Sequence, residues 1–259
     1  MRLMRKRWLS SLGTLVLTIG ASVAIYELLR FTGLLSSRLT PSSIAVVCAL
    51  FDLLAQPSFL MDIAVSAGRA LFGVAIGTIA GVPLGMLMGI VVWVRRGVLP
   101  LLDFFRSLPA AALFPALSTL LGIGEAMKLT AIAFPCGLLM ATAVYYACIE
   151  IRRELLEYAR LRGFSSGLLF REIYFPSVLL RLPAGLHYTL PLGLVLSVIA
   201  DMFIGAKNGL GLRLIEFQET FRLNNLYATI LVTGLVGYAL SAATAALVRL
   251  TRKYGPVHE

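Results

Sequence analysis

Long apolar runs, each bounded by a few charged or turn-forming residues, repeat along the chain. Crossing a bilayer as a helix takes about 20 consecutive, largely apolar residues. Runs of about that length predict six transmembrane helices, over residues 9–29, 66–94, 104–121, 128–149, 178–204 and 226–250. The expected fold is all-α and polytopic, a single transmembrane domain over residues 1–259. The first run follows Arg2, Arg5, Lys6, Arg7 and Trp8 and is 21 residues long. Ser22-x-Ala24 could pass as a signal-peptide cleavage site. A signal core holds only about 7–15 apolar residues, however, so the run reads as a retained first span. Residues 42–55 read as a helix too short to cross, amphipathic and lying on a surface. In the second span Gly73, Gly77, Gly81, Gly85 and Gly89 recur every four residues. They form a bare ridge along one side, against which another helix backbone can pack closely. Arg69 lies at the outer end of that span, where it can snorkel. Proline removes a helical hydrogen bond and bends the chain. Pro83, Pro135, Pro183 and Pro191 therefore predict kinks, while Pro109 and Pro115 interrupt the third span. Arg95-Arg96 closes the second span, residues 100–109 read as a short turn region with Asp103 and Arg106, and residues 122–125 as a tight turn. Residues 205–225 read as a polar, glycine-bearing connection.

One stretch breaks the pattern. Residues 150–176, EIRRELLEYARLRGFSSGLLFREIYFP, are a long polar island in an apolar chain. From Arg152 to Arg162 the spacing is helical. Ile151, Leu155, Ala159 and Arg162 fall on one stripe, and Arg153, Glu154, Glu157 and Arg160 on the other faces. Arg153 with Glu157 (i,i+4) and Glu157 with Arg160 (i,i+3) can pair, each worth about 0.2–0.5 kcal/mol. Gly163 stops the helix, because glycine takes the positive φ that the position after a helix end requires. Ser165 or Ser166 caps a second short helix, 166–173, and Pro176 marks its end. The product is a helix–glycine–helix elbow between the fourth and fifth spans. A surface helix this short is marginal alone and needs something to pack against.

Composition agrees with the bilayer reading: 59% hydrophobic, 14% charged, mean hydropathy +0.88, where a soluble domain carries about 25% charge. A net charge of +10 raises the question of nucleic acid or anionic lipid, and its placement answers it. With the N-terminus assigned to the cytoplasm, six spans put both termini inside. Sixteen cations then face inward: Arg2, Arg5, Lys6, Arg7, Arg95, Arg96, Arg106, Arg152, Arg153, Arg160, Arg162, Arg171, Arg181, Arg249, Arg252 and Lys253. Six face outward, Arg30, Arg38, Lys128, Lys207, Arg213 and Arg222, and Arg69 remains. That is the positive-inside bias; nucleic acid is not needed to explain the charge.

Catalytic chemistry is sparse. Cys48, Cys136 and Cys148 lack metal-ligand spacing and sit in apolar runs, as small buried hydrophobes do. Two histidines make no familiar metal site, and His187 reads as a hydrogen-bonded core residue. No G-x-x-x-x-G-K-[ST] occurs, so the chain has no P-loop for nucleotide. Uphill transport would need energy from another protein or an ion. Gly163-Phe164-Ser165-Ser166-Gly167 fits the G-x-S-x-G of hydrolases. That turn needs a strand before it; here the flanks are helical, and neither His187 nor His258 supplies a base. No catalytic, cofactor-binding or metal-ligating residue is assigned. An ionisable group inside a span is a functional candidate, and Asp201, near the outer end of the fifth span, is the best one. It is either a gate or pathway residue or an interfacial carboxylate paired with a neighbour.

The polar island also carries a resemblance. Glu157-x-Ala159, Gly163, Ile173 and Pro176 follow the spacing E-A-A-x3-G-x9-I-x-L-P, with Tyr158 and Phe175 as departures. This resembles the signature loop of the membrane subunits of ATP-binding-cassette importers. Pro41-Ser42, Ser66-x-x-Arg69, Arg106-Ser107-Leu108-Pro109, Gly122-Ile123-Gly124-Glu125-x-x-Lys128 and Gly209-Leu210-Gly211 extend it over residues 39–250. They resemble permeases for sulfonate, taurine, nitrate and related small solutes. The resemblance implies a type I importer permease, not an enzyme, in a bacterial-type inner membrane and working as a homodimer. It implies partners: a cytoplasmic ATPase that holds the ATP and magnesium, and an extracytoplasmic solute-binding protein. It implies that residues 150–176 are a coupling loop, with Glu157, Ala159, Arg160, Arg162, Gly163, Phe164, Ile173 and Pro176 as the ATPase-coupling residues. In that reading Phe164 plugs a pocket on the ATPase and the charges pair with its rim. The alternative is an ion-coupled secondary transporter, which calls for intramembrane acids in several spans or inverted repeats.

Overall fold

A computed structural model describes residues 2–34, 36, 39–205 and 207–254. Arg38 and His258 lie outside the described residues, as do the side chains of Arg2, Arg5, Lys6, Arg7, Arg252 and Lys253. The described residues are helical, with no strand among them. In chain order the helices are α1 (Arg2–Phe31), α2 (Ser43–Leu54), α3 (Pro57–Ile90), α4 (Val92–Ser107), α5 (Leu113–Leu121), α6 (Glu125–Ile149), α7 (Arg153–Leu161), α8 (Ser166–Leu169), α9 (Phe175–Ile204), α10 (Leu210–Glu219) and α11 (Leu223–Tyr254). Among the described residues, four stretches are long and apolar enough to cross a membrane: α3, α6, Ser166–Ile204 and Leu223–Leu250. A bent pair, α4 with residues 110–121, makes a fifth if counted as one crossing. α1 runs through the expected first span, but most of its N-terminal side chains are outside the description. Among the described residues, four or five stretches thus have the length and composition to cross, against six expected.

The bundle is built on the glycine ridge. α3 and α6 lie side by side and run in the same direction, Gly73 facing Ile132 and Gly89 facing Cys148. A methyl added at Gly77 would sit 2.5 Å from the Ala133 carbonyl oxygen and 2.8 Å from the Gly137 nitrogen. The backbones therefore touch where any side chain would force them apart, which is the packing that small residues give transmembrane helices. α9 runs antiparallel across both. A methyl at Gly193 would meet Val74 at 2.6 Å, and one at Gly185 the Met140 sulfur at 2.8 Å. α11 packs along α9. His187 Nδ1–H donates to the Ser241 carbonyl at 3.1 Å, so this half-buried histidine is hydrogen-bonded as expected. That contact lays the C-terminal part of α11 beside the first half of α9, at the end of the bundle where α7 sits.

The other end is closed by α2 and α10, which bury Val46, Leu53, Leu210 and Phe217 against Val198 and Val232. The Ser42 hydroxyl caps α2 by accepting from the Ala45 amide at 3.2 Å. Because α2 buries Val46, Ala49 and Leu53 on one face, Cys48 points outward and is exposed, contrary to expectation; Cys136 and Cys148 are buried.

Several boundaries differ from those expected. The second span begins at Pro57, in the first helical turn where proline is tolerated, and ends at Ile90, where Val91 turns extended. Residues 92–107 are not a turn region but α4, with Pro100 on its exposed face. The third span, expected over 104–121, breaks at Leu108 and Pro109, and its halves meet at 87°. The connection after α9 contains a helix of its own, α10.

Candidate functional site

Two groups of polar residues stand out, one at each end of the bundle. The first is the elbow. α7 ends as the sequence dictates: Gly163 has φ +80°, its amide donates to the Arg160 carbonyl at 2.9 Å, and the Phe164 amide reaches the Ala159 carbonyl at 3.0 Å. These paired bonds form a Schellman cap, which turns the chain back under the helix. The Ser165 hydroxyl then accepts from the Leu168 amide at 3.3 Å and caps α8. The G-x-S-x-G sequence is therefore a link between two helices, with its first serine used as a cap. α8 does not stop at Pro176. It passes through a π-helical turn, Phe170–Tyr174, into α9, so residues 166–204 form one continuous helix. Pro176 follows directly on that π-helical turn, inside the continuous helix, where its missing amide leaves a carbonyl of the preceding turn without its helical partner.

The elbow has its own small core. Ala159, Leu169 and Ile173 are buried, with Ile151, Leu156, Phe164 and Tyr174 packed around them. Two expectations change. The inward stripe of α7 runs through Leu156 and Ala159, and Leu155 is exposed. Phe164 is half-buried beneath its own helix, where the cap holds it. The side chain that projects instead is Leu161, 87% exposed, in line with exposed Leu155 and Tyr158. Glu157, Arg160, Arg162, Gly163 and Pro176 are all exposed, and Ala159 and Ile173 are inside. Arg162 lies 4.7 Å over the Tyr158 ring, a cation–π contact worth roughly 0.5–1 kcal/mol at an exposed site. The expected Arg153–Glu157 and Glu157–Arg160 pairs do not form; the elbow's ion pairs are Arg171–Glu172 and Glu150–Arg181.

The second group lies around Asp201, at the opposite end. Asp201 is 1% exposed and Lys128 is 3% exposed. Lys128 Nζ donates to Asp201 Oδ1 at 2.8 Å, and Arg69 Nη1 donates to Oδ1 and Oδ2 at 2.8 and 3.0 Å. Arg69 also holds Glu125 through two bonds of 2.7 and 2.6 Å and the Asn208 carbonyl at 3.2 Å. Two cations meet two carboxylates, so the cluster is neutral overall, with Asp201 and Lys128 buried and Glu125 at its exposed rim; an unmatched charge in the buried part would cost several kcal/mol. A second layer backs it. Buried Asp62 accepts from the Gly209 amide at 2.8 Å and from Arg213 Nε at 2.6 Å, and the Ser66 hydroxyl accepts from the Leu210 amide at 2.8 Å. The Asp62 carboxylate, with Glu216 beside it, raises Arg213 above its ordinary value. Gly209, at φ +141°, lets the loop pass so close that a side chain would strike the Asp201 carboxylate. The loop after α9 is thereby strapped across the ends of α3 and α6. A cleft of about 870 Å³, lined by Arg69, Glu125, Lys128 and Lys207, opens beside it.

Of these residues, the sequence marks Asp201 alone as a candidate site. Arg69 does not snorkel, because it is bound to Asp201, and Lys128 is buried against the same carboxylate. Asp62, Ser66 and Arg213 went unassigned. A signal for the first two existed: 62, 66 and 69 continue the spacing of 73, 77 and 81, so the polar residues stand on the same stripe of α3 as the glycines.

The chain resembles known transport proteins over nearly its whole length. It is 28% identical over 253 residues to a protein named as an aliphatic sulfonates transport permease, SsuC, of Escherichia coli K12, covering 98% of this chain and 95% of that one. It is 28% identical over 229 residues to a protein named as an ABC transporter permease from Brucella melitensis, covering 88% and 92%. The taurine transport system permease protein TauC of E. coli is 26% identical, covering 95% and 90%. Its fold matches a chain of the inward-facing MetNI methionine ABC transporter, with a TM-score of 0.66 and 20% identity, over 74% of this chain and 95% of that one. The family profile of the binding-protein-dependent transport system inner membrane component matches residues 81–253. That match takes in the broken helix pair, the elbow and the strapped loop, and the chain belongs to this family of transport permeases.

Proposed function

We propose that two copies of this chain form the path for a small organic or inorganic anion, of the sulfonate, taurine or nitrate kind, in an ATP-driven importer. The relatives' names support the solute class. The observation that carries the coupling role is the outward stripe Leu155, Tyr158 and Leu161 on α7. An exposed apolar stripe on a short helix, rigidly capped and backed by its own core, suits a groove on a soluble partner, and aromatic and Arg anchors are the usual energetic centres of such contacts. The partner is a cytoplasmic ATPase that carries the ATP and magnesium. Leaving out Arg106, which borders the break in the α4–α5 pair, and Lys128, which is bound to Asp201, the tally of flanking cations is fifteen against five, which supports a cytoplasmic elbow and cytoplasmic termini. The Asp201 cluster then faces outward, where a binding protein would deliver solute, and acts as a gate that opens only when the strapped loop moves.

The ion-coupled alternative needs an intramembrane acid free to take up its ion. Both buried carboxylates, Asp62 and Asp201, are already held by cations. The test is recovery of a candidate ATPase with tagged permease. Wild type retains it, and Leu161→Asp and Gly163→Asp lose it. Equal recovery with all three, or uptake that persists without nucleotide hydrolysis, would overturn the reading.

A further inference from the structure

The break in the α4–α5 pair sets an arginine level with the middle of the helical bundle. α4 starts just after α3 ends and climbs back along the bundle, burying Leu102 against Met88 and Tyr145. By Phe105 it has reached the middle of α6: the Phe105 ring meets Phe134 at 5.5 Å, edge to face. Arg106 follows, then the break at Leu108 and Pro109. Leu102 still lies near the ends of α3 and α6, so α4 climbs obliquely, and one further turn brings Arg106 beside residues midway along α6 and α9. There it lines a cavity of about 280 Å³ with Phe105, Phe134, Pro135, Leu138 and Leu192.

Its charge is poorly matched. Arg69 and Lys128 are bound to Asp201 at 2.8 Å. Among the described residues Arg106 has only Asp103, at 3.9 Å on the same helix, and both side chains are substantially exposed. A guanidinium offers five donors in a planar fork that fits an oxyanion. Irregular backbone at membrane depth persists only where it is covered by protein or lines a water-filled cavity. A cationic fork, a backbone break and an apolar pocket meet at one point.

We infer that Arg106 and this pocket form a binding site for the solute on its way through the membrane, the guanidinium holding an oxyanion head and the Phe105, Leu138 and Leu192 side holding a short apolar tail. The inference rests on the anion reading of the preceding section for the solute, but not for the charge of the site.

The test uses the intact transporter in liposomes, with Cys48→Ser removing the exposed thiol and Ala110→Cys placing one in the pocket wall. Anionic 2-sulfonatoethyl methanethiosulfonate should label that thiol about tenfold faster than its cationic trimethylammonium analogue, since a local charge concentrates opposite ions. Adding Arg106→Gln should bring the two rates together, and Arg106→Lys should keep most of the bias. In parallel, Arg106→Gln should lower ethanesulfonate uptake about 10- to 100-fold, the worth of one charged hydrogen-bonding partner, and Arg106→Lys should keep part of it. A bias that Arg106→Gln does not change, or no labelling by either reagent, would overturn the site. So would a parallel loss of uptake and basal hydrolysis with the bias unchanged. A bias that disappears with Arg106→Gln, in a wild type that imports no ethanesulfonate, keeps the site and rejects the solute class.

Discussion

Replacing Asp201 with asparagine tests how the outer end is held together. The substitution keeps the shape and removes one charge. Arg69, Lys128, Glu125 and Asp201 sum to zero. Asp201→Asn leaves the cluster at +1, with two cations drawn to a single amide. At 2.8 Å and an effective dielectric constant near 20, each lost pairing is worth about 6 kcal/mol of attraction. Desolvation already offsets much of that, and breaking one side of a buried pair costs about 3–5 kcal/mol in practice. At about 2–4 °C per kcal/mol for a chain of this size, the midpoint of heat unfolding in detergent should fall by about 6–20 °C. Lys128→Met leaves the cluster at −1 and should cost less, because Arg69 still covers Asp201. The double variant is neutral again and should recover part of the loss, giving a coupling energy of about 2 kcal/mol in the cycle. A midpoint within about 3 °C of wild type for Asp201→Asn, or strictly additive effects in the double variant, would refute the claim that these charges hold each other.

Three further outcomes follow from the same geometry. Gly77→Val should lower stability by about 1–3 kcal/mol, the cost of overpacking, because its side chain meets backbone on α6; heat unfolding reads it, and Gly68→Val, with open space around it, is the control. Gly163→Ala should cost only about 1 kcal/mol, entirely from its φ of +80°, since nothing lies within 4 Å of an added methyl; faster amide exchange at Phe164 would register it, and unchanged exchange would refute it. Asp62→Ala leaves the Gly209 amide without its acceptor and should cost about 1–3 kcal/mol, with amide exchange at Gly209 and Leu210 rising together with it.

The elbow was legible in the sequence because its determinants are local. Gly163, the serines after it and the charged helix before it lie within one short stretch, and the structure uses the glycine and Ser165 as expected. Which face of α7 turned inward was not legible, since Leu155 and Leu156 are adjacent and either can lead a stripe; the packing of Leu169 and Ile173 chooses Leu156. α4 was hidden by Pro100 and by charges that read as a turn, although Pro100 sits on an exposed face where its helix tolerates it. The Asp201 cluster draws on three distant fragments, around 69, 125 and 209, and no local pattern says which cation a buried carboxylate will choose.

The continuous helix from Ser166 to Ile204 joins the two ends of the molecule mechanically. At Gly193 it lies so close to α3 that an added methyl would sit 2.6 Å from Val74, and a fulcrum there has unequal arms of about 40 Å toward the elbow and about 12 Å toward Asp201. A swing of about 7 Å at the long end would displace the short end by about 2 Å in the opposite sense if the arm stayed straight. That is comparable to the length of the bonds clasping Asp201, so force applied at the elbow could unfasten them. Pro183 and Pro191, both on the long arm, set how much of the stroke is lost to flexure.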